Sequence, residues 1–206
     1  MIAQGTPEWH EERRGKVTGS RIHCLIARGE QKGRATYLRE LLLERLTGKV
    51  VEGFKSSAMD RGNEYEPSAV RAYEFFCDRT AIEVGFVTHP KIDMAGASPD
   101  RLVDRDGVLE VKCPMGPAHL DLLEGKPIKR EYLSQMQWEM ACTGRAWCDF
   151  VSFNPDFPAS MQLKVIRIER DDAAIRQLEE AARSFLAELD LEFDRLRFRY
   201  EGAAAA

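Results

Sequence analysis

The sequence has no apolar run approaching the roughly 20 residues that a membrane-spanning helix needs. Its opening, MIAQGTPEWHEERRGK, lacks the apolar core of a secretory leader, so the expected address is the cytoplasm. There is no C-x-x-C. The five cysteines stand apart at Cys24, Cys77, Cys113, Cys142 and Cys148, which speaks against structural zinc or a four-cysteine iron–sulfur cluster and for reduced thiols. His10 and His23 have no carboxylate or second histidine at ligand spacing and read as structural. Internal repeats are absent. The one low-complexity stretch is the terminal GAAAA, read with residue 201 as a frayed tail after a single domain over 1–200.

What is present describes an ordinary globular chain: 206 residues, 44% hydrophobic and 31% charged, enough for one domain with its own core. The net charge of −4 is a mild argument against nucleic acid as a partner. The distribution qualifies it. Arg13, Arg14, Lys16, Arg21, Arg28, Lys32, Arg34, Arg39, Arg45 and Lys49 crowd the first 50 residues, while Asp172, Glu179, Glu180, Glu188, Asp190, Glu192 and Asp194 load the last stretch. This split fits either one DNA-facing side or two solvated helix faces.

Thr18 or Ser20 is placed to cap a helix through Ala27, and a polar loop follows over Arg28–Arg34. TYLRELLLERLTG has helical spacing and is ended by Gly48; a further helix covers Ser57–Cys77, interrupted or bent at Pro67. AIEVGFVTHP, MAGASPDRLVD and GVLEVKCP are β-branched runs between turn residues, the last two forming a hairpin around Asp106-Gly107. A helix over Arg130–Thr143, strands in WCDFVSFN and MQLKVIRIER, and an amphipathic helix over Asp172–Arg195 complete the pattern. The expectation is an α/β or α+β domain, a central mixed sheet flanked by helices.

Ser98-Pro99-Asp100, separated by nine residues from Glu110-Val111-Lys112, carries the chemistry. In a strand, alternate side chains share a face, so Glu110 and Lys112 point the same way. Asp100, at the start of the preceding strand, can meet them at one end of the sheet. Two carboxylates there, with the Val111 carbonyl, make a hard oxygen site of the kind Mg²⁺ takes. A lysine beside it can orient a water or stabilise charge during attack on a phosphodiester. Burial favours a lowered Lys112 pKa and the carboxylates oppose it. Taken alone, the pattern also fits a surface hairpin with a salt bridge. The apolar neighbours Leu109, Val111 and Cys113 argue instead for a strand in the core.

With those residues in hand, the chain resembles the lambda exonuclease family, the YqaJ-type viral recombination nucleases of the PD-(D/E)xK superfamily. The resemblance runs in order from Trp9-His10-x-x-Arg13 and Val17-Thr18-x-Ser20, through Arg61-Gly62-x-x-Tyr65-Glu66, Ser98-Pro99-Asp100 and Glu110-Val111-Lys112-Cys113-Pro114, to Tyr132-x-x-Gln135-x-Gln137 and Ile168-Glu169-Arg170-Asp171. It implies a restriction-endonuclease-like core. It makes Asp100, Glu110 and the Val111 carbonyl metal ligands, Lys112 the assistant to the nucleophile, and Glu66 a further carboxylate for a second Mg²⁺, with Mn²⁺ as a substitute.

Arg13, Ser20, Ser98 and Gln135 match positions that in the family form a pocket for the terminal 5′-phosphate, a role that suits a guanidinium fork completed by hydroxyls and an amide. Without the resemblance, Glu66 reads as an exposed helix carboxylate, Ser20 as a plain N-cap, and Arg13 and Gln135 as solvated surface residues. Met59 falls where the family places an apolar wedge between the last base pairs, and equally where a helix core residue would sit. Arg28 stands in a loop suited to phosphate or minor-groove contact.

The activity implied is 5′→3′ digestion of one strand from a duplex end, releasing 5′-mononucleotides and leaving a 3′ overhang for recombination by strand annealing. A homotrimeric ring, a single-strand annealing partner and a phage or prophage setting in a bacterial cytoplasm are implied with it. Two rivals stand beside this reading: another PD-(D/E)xK nuclease, RecB/Cas4-like or an endonuclease, and a catalytically silent module that binds DNA ends.

Overall fold

The computed structural model describes residues 2–26, 31–51 and 57–201, without the side chains of residues 31 and 57–59. The first helix, α1 (Pro7–Arg13), begins where the Thr6 hydroxyl accepts from the Trp9 N–H at 3.3 Å and a proline occupies the first turn. Next come β1 (Val17–Thr18), a single 3₁₀ turn over Gly19–Arg21, and the short α2 (His23–Ile26). Where one capped helix through Ala27 was expected, the turn and α2 stand in sequence, and Thr18 makes no side-chain cap. The helix α3 (Gln31–Thr47) begins earlier than its leucines suggested, so the polar loop ends before Arg34.

Pro67 does not break α4 (Ser57–Cys77), which runs through it unbroken. A proline removes a single N–H from the helical ladder, and the packed face of Ala69, Val70 and Tyr73 against the sheet holds the turn regardless. Further along lie β2 (Ala81–Ile82), β3 (Val87–His89), β4 (Ile92–Ala97), β5 (Arg101–Val103), β6 (Gly107–Lys112), α5 (Gly116–Leu123), α6 (Arg130–Thr143), β7 (Trp147–Phe153), β8 (Leu163–Glu169) and α7 (Asp172–Glu201).

The expected central mixed sheet flanked by helices forms, and a smaller second sheet, which was not expected, stands beside it. The order β1-β4-β3 makes the smaller, and β2-β5-β6-β7-β8 the larger, which is mixed because β6 and β7 run parallel while the other pairs are antiparallel. The run MAGASPDRLVD, read as one strand, is split at Ser98-Pro99-Asp100 between the two sheets. Proline cannot donate to a ladder, so the chain leaves one sheet before it and joins the next after it. AIEVGFVTHP is divided likewise into β2 and β3. The β5–β6 hairpin forms as expected, with Arg101 opposite Leu109 and Val103 opposite Gly107.

The larger sheet lies between α4 and α6. Leu109 and Val111 pack with Ala69, Val70 and Tyr73 of α4 on one face, while Val108 packs with Met136 and Met140 of α6 on the other. The far side of α6 contributes Trp138 to a second core, with α3, α7 and the small sheet. Between two cores, α6 is buried from Met136 to Cys142 and stops at Gly144, whose φ of 71° gives the left-handed cap. Asp149 on β7 accepts from Tyr73 at 2.7 Å and from both prongs of Arg167 at 2.8 Å, tying α4 and β8 to the sheet centre. Among the described residues no helix is long and apolar enough to cross a membrane.

Part of the uneven charge distribution is consumed within the fold. Arg34 meets Glu188 at 2.6 Å and Arg45 meets Asp190, so cations of α3 are paired with acids of α7, and Arg21 pairs with Glu40 at 2.9 Å. Arg28 lies outside the described residues, as does the side chain of Met59.

Candidate active site and phosphate pocket

Period-two alternation in β6 sends Val108, Glu110 and Lys112 toward α6. Glu110 is fully buried, and its Oε1 accepts from the Lys112 ammonium beside it. Asp100 sits in the crossing between the sheets, one residue before β5. Its Oδ2 accepts the Val111 N–H at 2.6 Å, beyond the last β5–β6 residue pair. A residue's N–H and C=O face the same edge of an extended strand, so the Val111 carbonyl lies on the Asp100 side. The three elements of the sequence motif therefore meet at one end of the larger sheet.

Glu66 is held differently. On α4, it pairs with Arg101 at 2.9 Å. Among the described residues no three His, Cys, Asp or Glu side chains stand together as a ready-made metal cluster. The electrostatics nonetheless fit a dication. Burial, the Glu110 charge and, more weakly, Glu66 push the Asp100 carboxyl well above the ordinary carboxylate range, partly opposed by Lys112 and the Val111 N–H. Glu110 Oε2 is buried without a hydrogen-bond partner. An orphaned carboxylate oxygen beside a carboxyl reluctant to ionise is relieved by a hard cation. For Lys112, burial lowers the pKa, but Glu110 and Asp100 overcome it and hold the ammonium above the usual lysine value.

One carboxylate escaped the sequence reading. Glu139 on α6 is 1% exposed, and its Oε1 accepts from Gln135 Nε2 at 2.9 Å while its Oε2 has no partner. Burial, then the Glu110 charge, raises its pKa well above the ordinary range, with Gln135 opposing. The available signal was a lone acid within Trp138-Glu139-Met140-Ala141, one helical turn after Gln135.

The residues matched to a phosphate pocket converge beside this centre. The Arg13 guanidinium lies 3.8 Å from the centre of the Trp9 ring, and the Trp9 indole N–H donates to Ser98 Oγ at 3.0 Å. Burial lowers the Arg13 pKa to about 10, with Tyr37 and Glu44 opposing, so it remains a cation at neutral pH. Among the described residues no carboxylate pairs with it. Gly19 packs near Ala97 and Gln135, which brings the exposed Ser20 alongside. Gln135 itself reaches inward, and its Nε2 donates to Glu110 Oε1 at 2.8 Å. Ser98 stands two residues from Asp100, so the pocket and the carboxylate centre are continuous. Next to Glu66 a cleft of about 700 Å³ opens between Gln4, Trp9, His10, Asp60 and Arg101.

The cysteines have no part in this. All five are free, and burial pushes the Cys113 thiol up to about 11.

A family model described as the YqaJ-like viral recombinase domain matches residues 8–146. The chain is 44% identical to LHK-Exo, an alkaline exonuclease from Laribacter hongkongensis, over 98% of this chain and 100% of that one. The TM-score is 0.89 against its crystal structure in complex with dAMP and 0.88 against a second crystal structure. A phage related exonuclease from Haemophilus somnus 129PT has 17% identity and a TM-score of 0.66 over 88% of this chain and 96% of that one, a likeness of fold. No curated protein sequence matches at a significant level.

Proposed function

The chain belongs to the YqaJ-like viral recombinase family, and from that premise we propose that it is a Mg²⁺-dependent 5′→3′ exonuclease acting on one strand at duplex DNA ends. The observation that carries this reading is a half-buried cation, unpaired among the described residues, placed beside the carboxylate centre. Arg13 stacks on Trp9, Trp9 holds Ser98, and Ser98 stands two residues before Asp100, whose Oδ2 accepts from Val111 between Glu110 and Lys112. A 5′-phosphate gripped at Arg13 and Ser98 sets the next phosphodiester against Asp100, Glu110 and Lys112. Cleavage there releases 5′-mononucleotides and leaves a 3′ overhang.

Asp100, Glu110 and the Val111 carbonyl would hold the first Mg²⁺. Glu66 would contribute to a second after turning from Arg101, and Mn²⁺ would serve in place of Mg²⁺. When bound, the ions supply a polarised phosphate and a water of lowered pKa. The protein's own groups do the rest. Lys112, held protonated by its carboxylate neighbours, orients a water by donation and stabilises negative charge developing on the phosphoryl oxygens. Arg13 fixes the strand end and thereby the polarity.

A homotrimeric ring and a single-strand annealing partner complete the proposal. The exposed Leu191, Phe198 and Tyr200 near the end of α7 offer apolar surface of the kind that partners cover.

The test is a time course with Mg²⁺ on linear duplex, 5′-phosphorylated or not, beside a closed circle and an EDTA control. Mononucleotide release from phosphorylated 5′ ends with the circle intact is expected. A cut circle would make the protein an endonuclease, and end binding without dication-dependent release would make it a silent module.

A further inference from the structure

Gln135 occupies the junction between the two halves of the site, and its amide is fully committed. An amide nitrogen carries two hydrogens, and both are taken: Nε2 donates to Glu110 Oε1 at 2.8 Å and to Glu139 Oε1 at 2.9 Å. The Glu110 carboxylate, which already accepts from Lys112, favours this orientation of the amide, because the amide oxygen would find no donor on it. What remains for the pocket is Oε1, an acceptor, which has the wrong polarity for a phosphate. In this arrangement Gln135 is adjacent to the phosphate pocket and unable to serve it.

A dication at Glu110 changes this. Drawn to the unpartnered Glu110 Oε2, it would turn the carboxylate, withdraw Oε1 from the Gln135 amide and free one hydrogen. Glu139, on the same helix and one turn away, keeps the other. The Gln135 side chain runs alongside the Gly19–Arg21 turn that carries Ser20, so the released N–H has the pocket within reach. We propose that Gln135 is a relay between metal and end recognition, donating to the 5′-phosphate only when Glu110 is engaged by a dication, and that Glu139 is the positioning residue that anchors it.

The proposal rests on the exonuclease reading above and adds a property to it. Metal binding and phosphate recognition are thermodynamically coupled, so a phosphorylated end must tighten the metal by the same factor that the metal tightens the end. An enzyme without metal would release phosphorylated and hydroxyl ends alike more readily than a loaded one, and unproductive end capture would be reduced.

The experiment is equilibrium binding of a fluorescent hairpin duplex, 5′-phosphorylated or 5′-hydroxyl, in EDTA and in Ca²⁺, with phosphorothioate at the terminal linkages to suppress cleavage. The quantity read is the ratio of the two affinities, which cancels any general effect of the dication on DNA binding. In the unaltered protein the ratio should rise roughly tenfold on adding Ca²⁺, the worth of one hydrogen bond to a charged acceptor. Gln135→Leu should abolish that rise. Glu139→Met removes the anchor of the amide, so its rise on adding Ca²⁺ should shrink toward that of Gln135→Leu. Glu139→Gln still accepts from Gln135 and should restore the original behaviour.

A ratio in the unaltered protein that ignores Ca²⁺, in a preparation that digests DNA with Mg²⁺, overturns the relay and leaves the exonuclease standing. The same Ca²⁺-dependent rise in Gln135→Leu also overturns it, because attraction through space then suffices. Should Glu139→Met fail to fold by circular dichroism, Gln135→Leu decides alone. Absence of any dication-dependent nucleotide release would instead sink the exonuclease reading itself.

Discussion

Lys112 illustrates how neighbours decide what a side chain can do. Its burial alone would lower its pKa, yet Glu110 and Asp100 keep it charged, so the work proposed for it is donation and charge stabilisation. Lys112→Ala should therefore reduce nucleotide release by a factor of about 100 or more, as loss of a donor at a developing charge does, with end affinity retained in a binding assay. Arg13→Ala should act on the other half of the site. Binding of phosphorylated ends should weaken by roughly tenfold or more while hydroxyl ends are little affected, and equal slowing of both would remove the pocket assignment.

The raised carboxyls carry a stability signature. Asp100 and Glu139 hold protons in the fold above the pH at which the unfolded chain, with ordinary values of 3.8 and 4.5, has lost them. The folded state thus binds more protons in that window, and stability is greatest below it and falls as pH rises toward the folded values. Melting temperature in EDTA should drop from pH 5 to 8, and the gain on adding Mg²⁺ should grow over the same range. A Mg²⁺ gain that is flat with pH would contradict the placement of the cation at these carboxyls. Asp100, Glu110 and Lys112 could be read from their order along the sequence. Glu139 could not, because its partner Glu110 lies 29 positions away on another element and nothing in the helix's own periodicity links them.

At the level of elements, the crossing at Ser98–Asp100 has the most influence. It passes the chain from the small sheet to the large one and carries one residue for each half of the site. Gly96, just before it, leaves no room for a side chain. A Cβ there would stand 2.6 Å from the Val87 carbonyl oxygen and 2.3 Å from the Phe86 ring. Gly96→Ala should cost about 1–3 kcal/mol of stability in denaturant unfolding, with loss of activity that accompanies the displaced crossing; an unchanged midpoint would show that β3 can yield. The hairpin, α6 and β7 were legible because each satisfies its own local pattern. The division into two sheets was not, since Pro99 marks a break within residues 94–104 but only the long-range pairing of Val17 with Ala95 shows that the pieces on either side belong to different sheets. Where some cations of the first 50 residues go could not be read for a related reason. The partners of Arg34 and Arg45, Glu188 and Asp190, lie about 145–155 residues further on.

For the molecule as a whole, α7 extends through Glu201 with Leu191 at 72% and Phe198 at 83% exposure. Such apolar surface on an isolated chain is a liability unless another subunit covers it. Light scattering should give three times the chain mass, and charged replacement of both Leu191 and Phe198 should shift it toward one; a lone chain that stays monodisperse would remove the ring. The order in which the site's parts are made has a consequence of its own. Trp9, Arg13 and Ser20 leave the ribosome about 120 residues before Gln135, a lag on the order of ten seconds at typical elongation rates. Asp100 and Glu110 arrive in between, and α6 comes last of all these parts. A nascent chain thus holds pieces of a DNA-degrading centre without the helix that joins them, and its destructive capacity is withheld until synthesis is well past its midpoint.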